Sequence, residues 1–329
     1  MFDNVLEIFL ITYNRSKNLD DTLRRIKESP FVRCRFTILD NCSTDDTSLV
    51  TERYRDYFSD YRVVRHPINI GGDANYLRAV ELSTSKYTWI LCDDDYYDFT
   101  AAEEVIEILH KEAFDLVVVG PLHPTSMARR CIGSIMDLVN TGFLPHFTLS
   151  FFPACIFRTE LFDYDCIVKG FRLSAERYPN FAFINKMLQK NVKVYLPSAE
   201  IVIRNDVNIS VLSPLSWYHG WLNCCLTIQD RRLRYATIEQ ATNRRGFLKS
   251  LGFWIILERH VDPDQFYRKI FNIFFTMSYG QRLRFLLLLP VIVITLPLSL
   301  MVLVRQYIYR LLGVPESEVP PVVVVDRDA

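Results

Sequence analysis

Between residues 5 and 120 the chain alternates between two hydrophobic periods, and each apolar run stops at a polar cluster. Val5–Ile11 is a short apolar run suited to a strand buried on both faces, and Phe36–Leu39, Tyr61–Val64, Tyr87–Cys92 and Leu116–Val119 read as four further strands. Between them, apolar residues recur at helical spacing. Leu19, Leu23 and Ile26 make one such face, and Asn75–Ser83 lies on another helical stretch behind the Gly71-Gly72 break. A third face is Val105, Ile106, Ile108 and Leu109, behind a cap at Thr100. Ser43 and Thr44 followed by Asp46 give a further helix start, with N-cap chemistry. Strand–helix alternation with short links predicts a mainly parallel, doubly wound α/β sheet. Such sheets bind ligands at the carboxyl ends of their strands. Thr12-Tyr13-Asn14-Arg15, Asp40-Asn41 and Asp93-Asp94-Asp95 all fall there.

Composition narrows the class. The chain has 329 residues, 50% of them apolar, enough for one large domain or two ordinary ones and too apolar for general disorder. Lys+Arg and Asp+Glu balance at 38 each, so no overall field favours nucleic acid. The balance conceals an asymmetry: 14 basic against 6 acidic residues between Arg204 and Arg310, on an acidic N-terminal part. That bias suits an anionic surface or acceptor. None of the eight cysteines forms a CxxC pair, which predicts buried free thiols in a reducing compartment. Asp3 and Glu7 interrupt the first apolar stretch, so it reads as a strand and not as a leader; the N-terminal domain is expected in the cytosol. Neither GxGxxG nor GxxxxGK[ST] occurs.

Beyond residue 120 the pattern loosens. Leu149–Phe157 reads as one more strand, Phe181, Ile184, Met187 and Leu188 as an apolar helical face, and Val192–Leu196 as a strand. From about Pro214 to Gly280 the chain reads as helical, amphipathic and basic. Phe285–Val304 is an uncharged run of about the ~20 residues that a helical span needs. Pro290 and Pro297 make it a kinked span or a shallow, re-entrant insertion, with a buried core helix as the alternative. The expected organisation is a catalytic domain over 1–210, a basic helical region over 211–281, a membrane-associated segment over 282–312 and a tail over 313–329.

The acidic triplet carries the chemistry. Three adjacent carboxylates behind a buried strand repel one another, and a divalent cation with hard oxygen ligands relieves that. A Mg²⁺ or Mn²⁺ held by one or two carboxylates keeps positions open for substrate phosphates, which suits a nucleoside diphosphate. The plain alternative is a solvated acidic turn ahead of the helix, and Asp98 is given only a capping role. Asp40 suits a base N–H or a ribose hydroxyl, or else simply holds its turn. Tyr13 lies against a base or packs inward. Asn69-Ile70-Gly71-Gly72-Asp73-Ala74-Asn75 is a glycine turn entering a helix, whose N-terminus favours anions.

Taken in series, Ile11-Thr12-Tyr13-Asn14-Arg15, Asp40-Asn41-Cys42-Ser43-Thr44-Asp45, Asn69-Ile70-Gly71…Asn75 and Tyr87 through Asp95 resemble the GT-A glycosyltransferases of family 2, over roughly residues 5–210. The resemblance implies an inverting transfer of a sugar from a nucleotide donor with a divalent cation, and a Rossmann-like GT-A fold. It implies that Thr12, Tyr13, Asn14 and Arg15 line the nucleotide, that Asp40 contacts the base, and that Asp73 and Asn75 lie by the ribose or phosphates. Asp93, Asp94 and Asp95 become the DxD motif, with Asp93 and Asp94 toward the nucleotide and Asp94 and Asp95 toward Mn²⁺ or Mg²⁺. Asn69–Leu77, Trp89-Ile90, Tyr178-Pro179 and Arg204-Asn205-Asp206 with Ser210 are most similar to abequosyltransferase-like enzymes of O-antigen assembly.

The pattern departs from the family in three places. Ile11 stands where a proline is common. The motif is either Asp93-Asp94-Asp95 or a longer acidic motif whose first aspartate is Cys92. Pro179-Asn180 occupies the place of the usual Glu-Asp pair, leaving Glu176 as candidate catalytic base with Asp163 and Asp165 as rivals. Asp206 is a candidate additional metal ligand, or a turn residue. The acceptor implied is a polyprenyl-linked glycan or another glycan hydroxyl at the cytoplasmic face of the cell membrane, with Trp217, Tyr218, His219 and Trp221 either stacking on sugars or packing helices. A sugar-nucleotide nucleotidyltransferase and a catalytically decayed scaffold are the competing readings.

Overall fold

The computed structural model describes residues 3–123, 125–129, 131–203, 214–242 and 274. Two compact units divide the chain, Met1–Asp206 and Val207–Ala329.

In the first unit the strands are β1 (Asp3–Thr12), β2 (Cys34–Asp40), β3 (Asp60–Arg65), β4 (Tyr87–Cys92), β5 (Tyr96–Tyr97), β6 (Leu116–Val118), β7 (Cys131–Ser134), β8 (Cys155–Arg158), β9 (Lys193–Leu196) and β10 (Val202–Ile203). Eight of them form one sheet in the order β3-β2-β1-β4-β8-β6-β9-β7, and β5 and β10 form a separate antiparallel pair. β3, β2, β1 and β4 run parallel. β8 lies antiparallel between β4 and β6, and β7 runs antiparallel to β9. The mainly parallel, doubly wound sheet is therefore as expected. From β1 the chain builds outward through β2 and β3, then returns to place β4 on the other side. The switch point between β1 and β4 is where such sheets open a crevice for ligands.

Sequence pattern accounts for the elements. α1 (Ser16–Lys27) buries Leu19, Thr22, Leu23 and Ile26 at helical spacing. β1 is buried on both faces from Leu6 to Leu10, as a central parallel strand must be. α3 (Gly72–Leu82) follows the glycine pair, with Gly71 at φ +83°, a conformation that favours glycine. α4 (Ala102–His110) stacks Val105, Ile106, Ile108 and Leu109 against the sheet. α8 (Asn180–Lys190) and β9 match the apolar face and strand read from the sequence.

Three local expectations are corrected. α2 (Thr47–Arg53) is capped neither by Ser43 nor by Thr44: the Asp45 carboxylate accepts from the Thr47 N–H at 3.1 Å. Asp98, and not Thr100, caps the 3-10 turn that leads into α4, accepting the Thr100 N–H at 2.9 Å. Leu149–Phe157 is not one strand. α5 (Ile135–Asn140) and α6 (Pro145–Thr148) precede a 3-10 turn over Phe152–Ala154, and only then does β8 begin. Pro153 cannot donate to a ladder, so pairing starts two residues after it.

In the second unit α9 (Pro214–Cys225) and α10 (Arg231–Thr242) bury Leu222, Cys224, Cys225, Ile228 and Leu233. Trp221 is buried and stacks with Tyr218 of the same helix at 6.3 Å between ring centroids. Trp221 thereby follows the packing alternative over sugar stacking. Among the described residues no helix is long and apolar enough to cross a membrane; Phe285–Val304 and Asp206 lie outside the described residues.

Candidate active site

The end of β1 meets the end of β4 through buried polar contacts. Asp93, the first residue beyond β4, is 3% exposed. Thr12 donates its hydroxyl to Asp93 Oδ2 at 2.6 Å, and Thr22 of α1 donates to the Asp93 carbonyl at 3.1 Å. Arg15 reaches across with one nitrogen, to Asp93 Oδ1 at 3.2 Å and to Asp94 Oδ2 at 2.5 Å. Burial pushes the Asp93 carboxyl up to about 6, against the Arg15 charge and the Thr12 hydroxyl, which both favour its ionised form. Burial also acts to lower Arg15, but Asp93 and Asp94 outweigh it and hold the guanidinium charged.

Beyond Asp93 the chain turns. The donor atoms of Cys92, Asp94 and Asp95 come within 4.8 Å of one another, on half-buried side chains. Asp93 does not belong to that group. β4 ends at Cys92, and the turn over the next three residues brings Asp94 and Asp95 back to the Cys92 sulfur while Asp93 turns inward onto Thr12, with Arg15 bonded to both Asp93 and Asp94. This grouping follows the spacing Cys92-x-Asp94-Asp95. Burial pushes the Cys92 thiol well up, and the three neighbouring carboxylates push it further. Two carboxylates and a thiol within reach of one point fit a divalent cation.

The β2 end is equally constructed. Asp40 is 2% exposed; its Oδ1 accepts the Ser43 N–H at 2.8 Å and its Oδ2 accepts from Arg65 at 3.2 Å. Arg65 also donates to the Ser43 carbonyl at 2.6 Å. Asp40 thus stands at the expected edge and holds the turn, with the half-exposed Arg65 beside it. Asn14 takes a left-handed conformation, φ +51°, donates its N–H to Ser43 Oγ at 2.9 Å and accepts the Thr44 N–H at 2.7 Å. That interlock places Tyr13, 36% exposed, at the surface between β1 and β2 and not in the core.

The glycine turn is pinned to the same edge. Asn41 donates to Asn69 Oδ1 at 2.6 Å and accepts the Ile70 N–H at 2.9 Å. Asn69 Oδ1 also accepts the Gly71 N–H at 2.8 Å, ahead of the α3 N-terminus. Asn75 is 2% exposed, bonded to His66 Nε2 at 2.9 Å and to the Leu39 carbonyl at 3.2 Å. It ties α3 to β2, which corrects the ribose or phosphate contact expected of it. Asp73, in the first turn of α3, has its carboxyl raised by burial and lowered by the Arg177 charge.

α7 (Tyr164–Ser174) packs on α3 and α8, and Glu176 and Arg177 lie in the turn after it, with the Arg177 charge acting on Asp73. Asp163 and Asp165 stand at the other end of α7, some ~16 Å along an eleven-residue helix. Asp163 accepts the Cys166 N–H as the cap of α7 and pairs with Lys186; Asp165 pairs with Lys169 at 3.6 Å. Both rivals to Glu176 are therefore explained as helix-terminal charges. Asn180, in the place of the usual acid pair, is buried and donates to the Leu149 and Ser150 carbonyls at 2.7 and 3.0 Å. Arg65 and Thr22 carry no signal in the sequence, whereas Asn41 and Asn69 lie within the polar motifs read there and Cys92 stands at the first position of the longer acidic motif.

A mainly parallel α/β sheet with polar strand ends gathered at its switch point defines the class of ligand-binding doubly wound domains. The description of the family "Glycosyl transferase family 2" matches residues 7–171, and the chain belongs to that family. It is 35% identical over 88 residues to abequosyltransferase RfbV of Salmonella typhimurium (strain LT2), a match over 26% of this chain and 26% of that protein. About a quarter of the curated relative is thus spanned. In fold the chain is similar to TarS 1-349 of S. aureus, with TM-score 0.54 and 17% identity over 84% of this chain and 91% of that one. It is also similar to the mannosyltransferase PcManGT from Pyrobaculum calidifontis in complex with GDP-Man and Mn²⁺, with TM-score 0.52 and 13% identity over 80% and 76% of the two chains.

Proposed function

We propose that this chain is an inverting glycosyltransferase that moves a sugar from a nucleotide donor to a hydroxyl of a lipid-linked or glycan acceptor in cell-surface polysaccharide synthesis. The observation that carries the reading is the convergence of Cys92, Asp94 and Asp95 beside Thr12 and Arg15 at the β1/β4 switch point. Family membership and the abequosyltransferase likeness support it. So does PcManGT, a relative in fold that holds GDP-Man and Mn²⁺.

Asp94 and Asp95 would hold Mn²⁺ or Mg²⁺ here, with Asp206 as a further candidate ligand. Such an ion, when bound, neutralises the charge that develops on a leaving diphosphate. The protein's own part is positioning and electrostatics. Asp93, fixed by Thr12 and Arg15, sets the direction in which the turn presents Asp94 and Asp95. Tyr13 and the Asn14–Ser43 interlock, with Asp40 and Arg65, form the wall for a nucleoside. The α3 N-terminus, with Asp73, offers its N–H groups to phosphate. Glu176 takes the proton from the acceptor hydroxyl, which attacks the anomeric carbon from the face opposite the diphosphate, so that centre inverts. A basic C-terminal region and the uncharged 285–304 run support a polyprenyl-linked acceptor at the cytoplasmic face of the membrane.

The test is a thermal-shift panel of UDP-, GDP-, dTDP- and CDP-sugars with and without Mn²⁺, followed by sugar-release assays. One nucleotide should raise melting by mass action, and only with the cation. Asp94→Asn and Asp95→Asn should abolish that shift while melting normally without ligand. Silence from every nucleotide, or full activity in both variants, sinks the reading.

A further inference from the structure

Cys92 sits differently from the other described cysteines. Cys34, Cys155, Cys166, Cys224 and Cys225 are buried, and the half-buried Cys42 lies 3.5 Å from the Pro67 carbonyl. Cys92 is half-buried as well, but its sulfur faces the carboxylates of Asp94 and Asp95, with all three donor atoms inside 4.8 Å. An ion with bonds of ~2.0–2.6 Å to each donor fits a cluster of that span. The turn that follows β4 fixes this arrangement: Thr12 and Arg15 hold the buried Asp93, and Arg15 also reaches Asp94 from one side of the cluster.

The donor set has consequences for the ion. Mg²⁺ demands oxygen ligands in near-octahedral geometry and dehydrates reluctantly. A sulfur ligand costs it more than it costs Mn²⁺, and favours softer ions such as Zn²⁺ and Cd²⁺. We propose that Cys92 Sγ is a ligand of the cation bound by Asp94 and Asp95, so that this is a mixed sulfur–oxygen site that takes Mn²⁺ and thiophilic divalent ions in preference to Mg²⁺. The inference rests on the reading above that these carboxylates bind a cation, and adds the sulfur and the selectivity. On binding, the Sγ–H proton passes to solvent as the sulfur–metal bond forms, and nothing is oxidised or reduced.

The experiment uses the full chain stripped of metal by chelation. Cd²⁺ is titrated while the sulfur-to-cadmium charge-transfer absorption is followed in the ultraviolet. Mn²⁺ affinity is read by electron paramagnetic resonance, with Mg²⁺ as competitor. The wild-type chain should show a charge-transfer band that Mn²⁺ suppresses, that Cys92→Ser and Asp95→Asn remove, and that Cys42→Ser leaves in place. Cys92→Asp should improve Mg²⁺ relative to Mn²⁺ by at least tenfold. As a check on the unaltered protein, Mn²⁺ should slow alkylation of Cys92, located by peptide mass spectrometry, at least tenfold. A Cd²⁺ band indifferent to Cys92→Ser, a Mn²⁺/Mg²⁺ ratio unmoved by Cys92→Asp, or no protection from alkylation overturns the role of Cys92 and leaves the carboxylate site standing. If the wild-type chain binds no Mn²⁺ at all, with or without a nucleotide, both readings fall.

Discussion

Replacing Thr12 by Val removes one hydroxyl from the buried heart of the site and keeps the β-branched shape. That hydroxyl donates to Asp93 Oδ2 at 2.6 Å, and Thr12 is buried. Asp93 carries a carboxyl raised by burial from an ordinary 3.8 to about 6. Its ionised form is thus disfavoured in the folded chain by about 3 kcal/mol, at ~1.4 kcal/mol per pH unit. The sign follows from proton binding. Between pH 3.8 and about 6 the folded chain holds the proton that the unfolded chain has lost, so stability falls as pH rises through that window. A hydrogen bond to a charged group contributes about 2 kcal/mol, and one to a neutral group about 1 kcal/mol. Thr12→Val should therefore cost ~2 kcal/mol at pH 8 and ~1 kcal/mol at pH 5, and move the Asp93 carboxyl up by roughly one further pH unit. Urea unfolding of both chains at several pH values, with a chelator present, measures the difference. A loss equal at pH 5 and pH 8, or larger at pH 5, refutes the argument that Thr12 stabilises a buried, ionised Asp93.

Other outcomes follow from single contacts. Gly120→Ala should destabilise the chain by about 1–3 kcal/mol, because an added Cβ meets Ala154 Cβ at 2.5 Å and Cα at 2.7 Å; an unchanged melting temperature would contradict the close approach after β6. Asn75→Ala should cost about 1–3 kcal/mol through the lost bonds to His66 and Leu39, and leave the donor KM within about threefold. A large rise in donor KM at unchanged stability would restore the ribose or phosphate role. Glu176→Gln should lower kcat by roughly 100-fold or more, remove the acidic limb of the pH–rate profile and spare donor KM. A variant with wild-type kcat removes Glu176 from the chemistry.

The alternation of apolar runs and helical faces was enough to place β1, β2, β3, β4, β6, α1, α3, α4, α8 and β9, because a central strand leaves a continuous apolar run, a packed helix an apolar stripe, and even the edge strand β3 keeps Tyr61, Val63 and Val64 half-buried. It failed at Leu149–Phe157, where an apolar run holds a proline and the antiparallel β8 is chosen by its neighbours β4 and β6. At the site, sequence order located the three polar strand ends but not the direction of any side chain. Asn75 and Asp93 show why. One is a polar residue in the first turn of a helix and the other lies in a loop turn, and both are buried with partners distant along the chain: Leu39 for Asn75, and Thr12, 81 residues away, for Asp93.

What the amino-acid order determined by itself was that acids and amides would gather at the carboxyl ends of parallel strands, since buried strands cannot carry them inside. Only the tertiary structure decided which acid does what. The parallel pairing of β1 with β4 sets Thr12 and Arg15 against Asp93 and pulls that carboxylate inward. The turn that follows β4 then gathers Cys92, Asp94 and Asp95 within reach of one point. Identical neighbours in sequence part company there because desolvation tolerates one carboxylate only where a hydroxyl and a guanidinium receive it.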